Sequence, residues 1–369
     1  VVYNLVFFSL IRTFAANMKK RIGKYYDWGW SVLVGIGIFL FWYVAYPHAL
    51  SYQEQYQLFQ WTGDYFRERV SLPGGFADWL GEFIVQFYYV EWLGALLLAL
   101  LFVAFIQLAG WIPAALLLWL LGDPSVLLGY AVAVMIAVGV YKLNNLDGPK
   151  GLLIDIVVLP IVYWLSGSLA WVYVVLRFVR LRLIGWPLPL YLLTLQLLAF
   201  RFLLLQWTLQ MVFLPEQYYR TPMMMPSLMW IIPVVTIIVL ALPSLVKSVK
   251  LLIPVQIAVA VVLGYIGISK GYDKEMYELI CQDYLIRNER WDEVIDRAKV
   301  YQVRTPFSSV CVNLALSQKR ELADRMFEFY QSGEDALIMP RIRDLTSMLP
   351  SAEAFWRLGM VNSALRYFF

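Results

Sequence analysis

The sequence predicts an all-α chain: a polytopic helical membrane domain of about nine spans, then a domain of helical repeats. Three observations predict it. The chain is 61% hydrophobic and 15% charged, whereas a soluble domain carries about a quarter charged residues. Apolar runs follow one another from Trp28 to Ile268. At Lys270 the composition changes, and the last 100 residues hold 29 of the 56 charged ones.

Residues 1–27 read as a cytoplasmic N-terminus. Met18 opens MKKRIGKYYDWGW, which has the form of a bacterial membrane-protein start, so translation is expected to begin there. The first span, Trp28 to Tyr46, has 19 uncharged residues, enough to cross a hydrocarbon core of about 30 Å. Lys19, Lys20, Arg21 and Lys24 precede it, so its start faces the cytoplasm and Pro47 emerges on the other side.

The 45 residues from Pro47 to Glu91 form an extracytoplasmic segment with six acids against two arginines. Pro73-Gly74-Gly75 signals a turn that divides it into two helical halves. In the second half Phe76, Trp79, Leu80, Phe83, Ile84, Phe87 and Tyr88 follow the spacing of one helix face, and Asp78, Glu82 and Gln86 fall opposite. That pattern predicts a helix lying in the membrane interface with its acids toward water. The first half, Leu50 to Phe66, repeats the pattern more weakly.

Further spans are expected near 92–109, 111–121, 126–141, 152–166, 168–179, 188–214, 228–246 and 251–268. The 111–121 and 168–179 pieces are short, which suits tilted or re-entrant helices. Lys142 with Lys150, then Arg177, Arg180 and Arg182, then Lys247 with Lys250 alternate with cation-poor loops, which places these three clusters in the cytoplasm. A transmembrane domain over 28–269 then leaves residues 270–369 extracytoplasmic.

That tail reads as helical hairpins over 273–288 with 291–302 and 306–317 with 319–331, and a third beginning near Ser351. Trp291, Leu322 and Met360 recur 31 and 38 residues apart, near the tetratricopeptide period of about 34. NERWDEVIDRA and LALSQKRELADRMF resemble degenerate repeats of that type. The sequence stops inside the apolar run RLGMVNSALRYFF, so a capping helix is expected beyond it.

No Gly-rich phosphate loop, GxSxG, HExxH or GxGxxG signature occurs. The basic residues sit beside spans rather than in one patch, which argues against nucleic acid as a partner. Cys281 and Cys311 have no metal-ligand spacing and read as two buried thiols, with a disulfide open to them if the tail is extracytoplasmic.

Several residues carry a functional and a plainer reading. His48, the single histidine, is a proton carrier or an interfacial anchor. Asp78 and Glu82 are a divalent-cation or acid–base pair, or the wet side of a helix. Arg201 stands about mid-span within AFRFLLLQW, where a charge needs a partner or a wet cavity. Asp155 is expected to pair with Arg177 or to snorkel.

The layout of first span, large outer segment with carboxylates, further spans and helical tail resembles the GT-C superfamily of glycosyltransferases. The resemblance implies a polyprenyl-phosphate sugar donor held at the bilayer and an acid in the first outer segment serving as base or metal ligand. Glu54, in SYQEQYQ, holds that position. Such a donor also needs cations, and EQYYRTPMMMP supplies Arg220 beside Tyr218 and Tyr219, a guanidinium for phosphate and rings for a sugar, with Arg201 as a further donor-binding cation.

YPHALSYQEQYQLF, the PGG followed by DWLGEFIVQFYY, and YYRTP also resemble a family of bacterial polytopic inner-membrane proteins known as a domain of unknown function. Three functional expectations follow. The first is a GT-C-like transferase acting on the outer face, its tail recruiting the acceptor. The second is a non-enzymatic scaffold whose tail binds a protein of the envelope. The third is a transporter, which would show symmetry between halves; none is visible.

Overall fold

The structure, a computed structural model, describes residues 28–57, 59–215, 225–245, 252–301, 304–337 and 348–367. The described residues contain helices and turns and no strand. In apolar runs this follows from the backbone itself, because a peptide group removed from water finds its partner most cheaply four residues away.

The body begins with α1 (Trp28–Ala45). The segment to Glu91 holds α2 (Pro47–Tyr56), α3 (Gly63–Val70) and α4 (Gly75–Val85). The apolar helices follow as α5 (Glu91–Ala109), α6 (Trp111–Leu120), α7 (Leu128–Leu143), α8 (Gly148–Ser166), α9 (Ala170–Leu181) and α10 (Pro187–Phe202). After the short α11 (Leu209–Val212) come α12 (Leu228–Leu245) and α13 (Leu252–Gly271).

Among the described residues three helical stretches are long and apolar enough to cross a membrane: Trp28–Ala45, Glu91–Ala109 and Gly148–Gly185. The last is folded back on itself. Asp155 and Arg177 meet at 2.8 Å, whereas 22 residues of straight helix would part them by about 33 Å. The fold-back lies at Gly167, whose φ of +60° favours glycine.

Side-chain bonds sort the helix ends into two groups. At one end Gln107 donates to Ser31 Oγ at 2.7 Å, Lys142 donates to the Gln107 carbonyl at 2.7 Å, and Arg180 meets Asp147 at 2.6 Å. At the other, Gln53 donates to the Pro124 carbonyl at 2.5 Å, Trp164 to the Val70 carbonyl at 2.9 Å, and Tyr130 to the Met229 carbonyl at 2.9 Å. Lys142, Arg177 and Arg180 sit at the first end with the start of α1; the 47–91 segment sits at the second.

The helix expected over 188–214 is shorter. It stops at Phe202, where the Leu203 and Leu204 amides both turn back to the Ala199 carbonyl and Leu204 is buried. Arg201 is therefore not mid-span. It is exposed in the last turn of α10, where the helix dipole favours a cation, and its guanidinium lies 5.8 Å from the Phe202 ring.

The tail has its own apolar core, distinct from that of the body. α14 (Lys274–Arg287) leaves α13 at 68°, its first turn capped by the Asp273 carboxylate on the Glu275 amide. α15 (Trp291–Tyr301) and α16 (Pro306–Gln318) pack beside it, then α17 (Leu322–Arg325), α18 (Met348–Arg357) and α19 (Val361–Leu365). The expected 319–331 helix forms a single turn because α17 buries none of its residues, and one turn without tertiary packing does not propagate. The chain instead runs along α16, where Ser309 donates to the Tyr330 carbonyl at 3.0 Å and Asn313 to the Ala336 carbonyl at 2.9 Å.

Candidate functional site

The turn Pro73-Gly74-Gly75 seats α4 against the body. Gly74 takes φ +88° and donates its amide to the Trp164 carbonyl at 2.9 Å. A Cβ there would stand 3.2 Å from Gly167 Cα, and one on Gly81 would stand 2.4 Å from the Gly129 nitrogen. Backbone thus touches backbone where α4 crosses the fold-back after α8 and the first turn of α7.

This seating corrects the expected orientation of α4 in part: Leu80, Ile84 and Tyr88 pack against the body core as an apolar face does, but the acids turn inward as well. Ala77, Gly81, Glu82 and Val85 are buried, and Asp78 is half-buried. The ring face lies on the other side, with Trp79 and Phe83 stacked at 5.7 Å and joined to Phe59, Trp61 and Phe66. The small residues Ala77 and Gly81 on the inward side allow the close approach of other helices.

The two acids of α4 have unlike surroundings. Glu82 accepts from the Tyr65 hydroxyl at 2.5 Å and pairs with Arg69 at 2.7 Å, and Arg69 also donates to Tyr65 at 3.1 Å. Burial pushes the Glu82 carboxyl up, and those two partners pull it back. The pair expected to share a divalent cation therefore has an arginine already seated on one member. Among the described residues no group of three His, Cys, Asp or Glu side chains could hold a metal.

Asp78 accepts no hydrogen bond among the described residues. Burial pushes its carboxyl up to about 7, Glu82 adding to the shift and Arg69 opposing it. It lines a small open cleft, with room for about one water molecule, together with Gly74, Gly129, Tyr130, Ser166, Ser168 and Pro215. Ser166 donates to the Val162 carbonyl at 2.7 Å, and Ser168 to the Leu214 carbonyl. With those protons committed, the serine oxygens remain as acceptors, so the cleft suits a ligand that brings hydrogen-bond donors.

Glu54 and His48 lie elsewhere, where α2 meets the tail. The half-buried Glu54 carboxyl is pushed up by burial, with the Arg287 cation opposing. His48 is buried, 5.6 Å from the Tyr46 ring and 6.1 Å from that of Tyr277. Burial, and secondarily Arg297, pushes its pKa down to about 4, so it is neutral near pH 7. The same contact holds Arg287 donating to Ser51 at 3.2 Å, Tyr277 donating to the Gly122 carbonyl at 3.1 Å, and Tyr284 bonded to Glu91. Glu54 and His48 thus belong to a docking surface, separate from the Asp78 cleft.

Tyr218, Tyr219 and Arg220 lie outside the described residues, as do Lys247, Lys250 and residues 1–27. Pro215 is the last described residue before them in the chain, and it lines the Asp78 cleft. Cys281 and Cys311 are buried free thiols.

Sequence reasoning named Asp78 but not what surrounds it. Ser166-Gly167-Ser168 carried a signal, as small residues interrupting an apolar run where a chain can reverse. Ala77, Gly81 and Val85 carried another, a spacing of four with small side chains that marks a contact face. Arg69 and Tyr65 carried none.

The model of a family described as a family of unknown function (DUF6057) matches residues 24–369. No curated protein and no solved structure matches the chain.

Proposed function

The chain belongs to that family of unknown function, and we propose that it is a multi-pass inner-membrane transferase of the GT-C type, with Asp78 rather than Glu54 as its base. The observation that carries this is the unpartnered Asp78 carboxyl in a half-buried cleft at the end of the body opposite Lys142 and Arg180. Its proton affinity near neutrality suits general acid–base work.

In the proposed step an acceptor hydroxyl gives its proton to Asp78. The acceptor oxygen bonds to the anomeric carbon of a polyprenyl-linked sugar while the bond from that carbon to the phosphate oxygen breaks, and polyprenyl phosphate leaves. Arg220, which lies outside the described residues, is the cation that the sequence offers for that phosphate. Nine crossings fit the alternation of helix ends, with cations at the end where α1 starts. They put the 47–91 segment and the tail on the extracytoplasmic face.

The test is D78N in the full chain, compared with E54Q. D78N is expected to abolish transfer, seen as accumulated polyprenyl-linked sugar and lost surface glycoconjugate, while E54Q retains it. Wild-type glycoconjugate in D78N would remove the reading.

A second reading, a membrane-anchored scaffold of tetratricopeptide-like repeats, draws support from the tail's bonds to the body through Tyr284, Arg287 and Tyr277. Those bonds hold the first tail helix against the body. A stoichiometric protein partner retained by D78N but lost on replacing Arg287 would favour it.

A further inference from the structure

Asp78 and Glu82 stand one helical turn apart on the inward side of α4, and they differ in one physical respect. Glu82 has a donor on each oxygen: Tyr65 at 2.5 Å and Arg69 at 2.7 Å. Asp78 has none among the described residues. Donors to both oxygens favour a carboxylate in its charged form. Two acids in unlike settings divide into a fixed charge and an exchangeable proton.

We propose that Glu82 is a positioning residue for Asp78, the charge it holds between Arg69 and Tyr65 setting how tightly Asp78 keeps its proton. The fold makes this coupling rigid. Thr62 caps α3 by accepting from the Tyr65 amide at 3.2 Å, so Tyr65 and Arg69 occupy successive turns of one short helix. The Gly81 contact with Gly129 prevents α4 from moving away from α7 without breaking backbone packing.

Among the described residues the charged and titratable groups around Asp78 are few. Its own helix supplies Glu82, α3 supplies Arg69 and Tyr65, and α7 supplies Tyr130, whose hydroxyl donates to the Met229 carbonyl. The fold-back and the chain at Pro215 line the cleft with glycine, serine and proline, which carry no charge. The signs follow from the charges: Glu82 raises the affinity of Asp78 for a proton, and Arg69 lowers it.

The proposal rests on the transferase reading only for the use made of the proton; the coupling itself needs no substrate. The experiment is labelling of the full-length protein in membranes with N,N′-dicyclohexylcarbodiimide, which reacts with protonated carboxyls, followed by mass spectrometry of the Asp78 peptide across the neutral range. D78N gives the background. E82Q removes the neighbouring negative charge and leaves Arg69 unopposed, so the half-labelling pH is expected to fall by roughly one unit, the scale that a nearby charge produces. R69Q leaves Glu82 unopposed, and the half-labelling pH is expected to rise.

Because Arg69 also ties α3 to α4, R69K and E82D keep the charges and serve as rescue variants, expected to retain the wild-type midpoint. Opposite shifts in E82Q and R69Q with rescue by R69K and E82D support the proposal. Shifts of the same sign, no shift, or absence of Asp78 labelling in the wild type would overturn it. If the shifts appear while D78N leaves surface glycoconjugates intact, the positioning role stands and the transferase reading falls.

Discussion

Arg177 and Asp155 meet at 2.8 Å with neither side chain exposed to solvent. The carboxylate also accepts from Asn144 at 2.6 Å and Tyr173 at 2.5 Å. The guanidinium donates onward to the Asn144 and Leu146 carbonyls, at 3.1 and 2.8 Å, and so ties the α8–α9 hairpin to the chain between α7 and α8. Every partner is satisfied, as befits a structural lock rather than a charge that moves. Removing one side alone strands a buried charge. D155N or R177M is therefore expected to cost about 3 to 5 kcal/mol, whereas the apolar double replacement D155L/R177M recovers most of that loss. Thermal unfolding of the detergent-solubilised protein checks the pattern.

Gly81→Ala places a methyl group 2.4 Å from the Gly129 nitrogen. Neither backbone can yield alone, so α4 must shift as a unit, at an expected cost of about 1 to 3 kcal/mol. Gly139→Ala, with nothing within 4 Å of its Cβ, is the matched control and is expected to be neutral or stabilising. The same unfolding assay separates the two.

His48 couples stability to pH. Its pKa in the folded protein is about 4, below its ordinary 6.5, so the unfolded chain binds the extra proton between those values. The contribution is fully present above pH 6.5 and is lost as pH falls toward 4. At pH 5 the loss is about 2 kcal/mol. H48F, which keeps a ring beside Tyr46 and Tyr277, is expected to flatten that part of the pH profile of unfolding. An unchanged slope would place the acid sensitivity elsewhere.

The tail contact is directly testable. R287A combined with Y284F removes the bonds to Ser51 and Glu91. Limited proteolysis near the α13–α14 bend is expected to quicken several-fold, with the tail core itself still resistant. Equal cleavage rates would show that apolar packing around Tyr272 and Tyr277 holds the tail unaided.

Much of the fold was legible because lipid and protein interiors impose the same demand on a backbone. Expected limits of 92–109 and 111–121 became Glu91–Ala109 and Trp111–Leu120, since apolar runs bounded by Gly110 and the Gly122-Asp123-Pro124 turn have no other way to satisfy their amides. The composition change at Lys270 was equally readable: charge marks where the chain leaves an apolar surrounding, and the tail core begins there. The sequence offered Asp155 either a pairing with Arg177 or an exit to water, and the structure shows the pairing.

The candidate site was legible only in its residue types. Sequence singled out Glu54, His48, Asp78 and Glu82 and could not tell which would share a cavity, because periodicity assigns a face to a helix without saying what that face meets. On α4 the usual rule of apolar inward and acid outward held for Leu80, Ile84 and Tyr88 and failed for Glu82, which is buried. Arg201 shows the same limit: only its place at the end of α10 decided that it needs no buried partner.

By itself the sequence determined that this is a helical, strongly apolar body joined to a charged helical tail, since those features follow from composition and backbone hydrogen bonding. Tertiary structure alone decided that Asp78 stands in a cleft without a hydrogen-bond partner among the described residues while Glu82 is held by Arg69 and Tyr65, and that Glu54 and His48 lie against the tail. The physical reason is that the surroundings of a carboxyl come from helices distant in sequence, brought together by close backbone contacts such as Gly81 on Gly129.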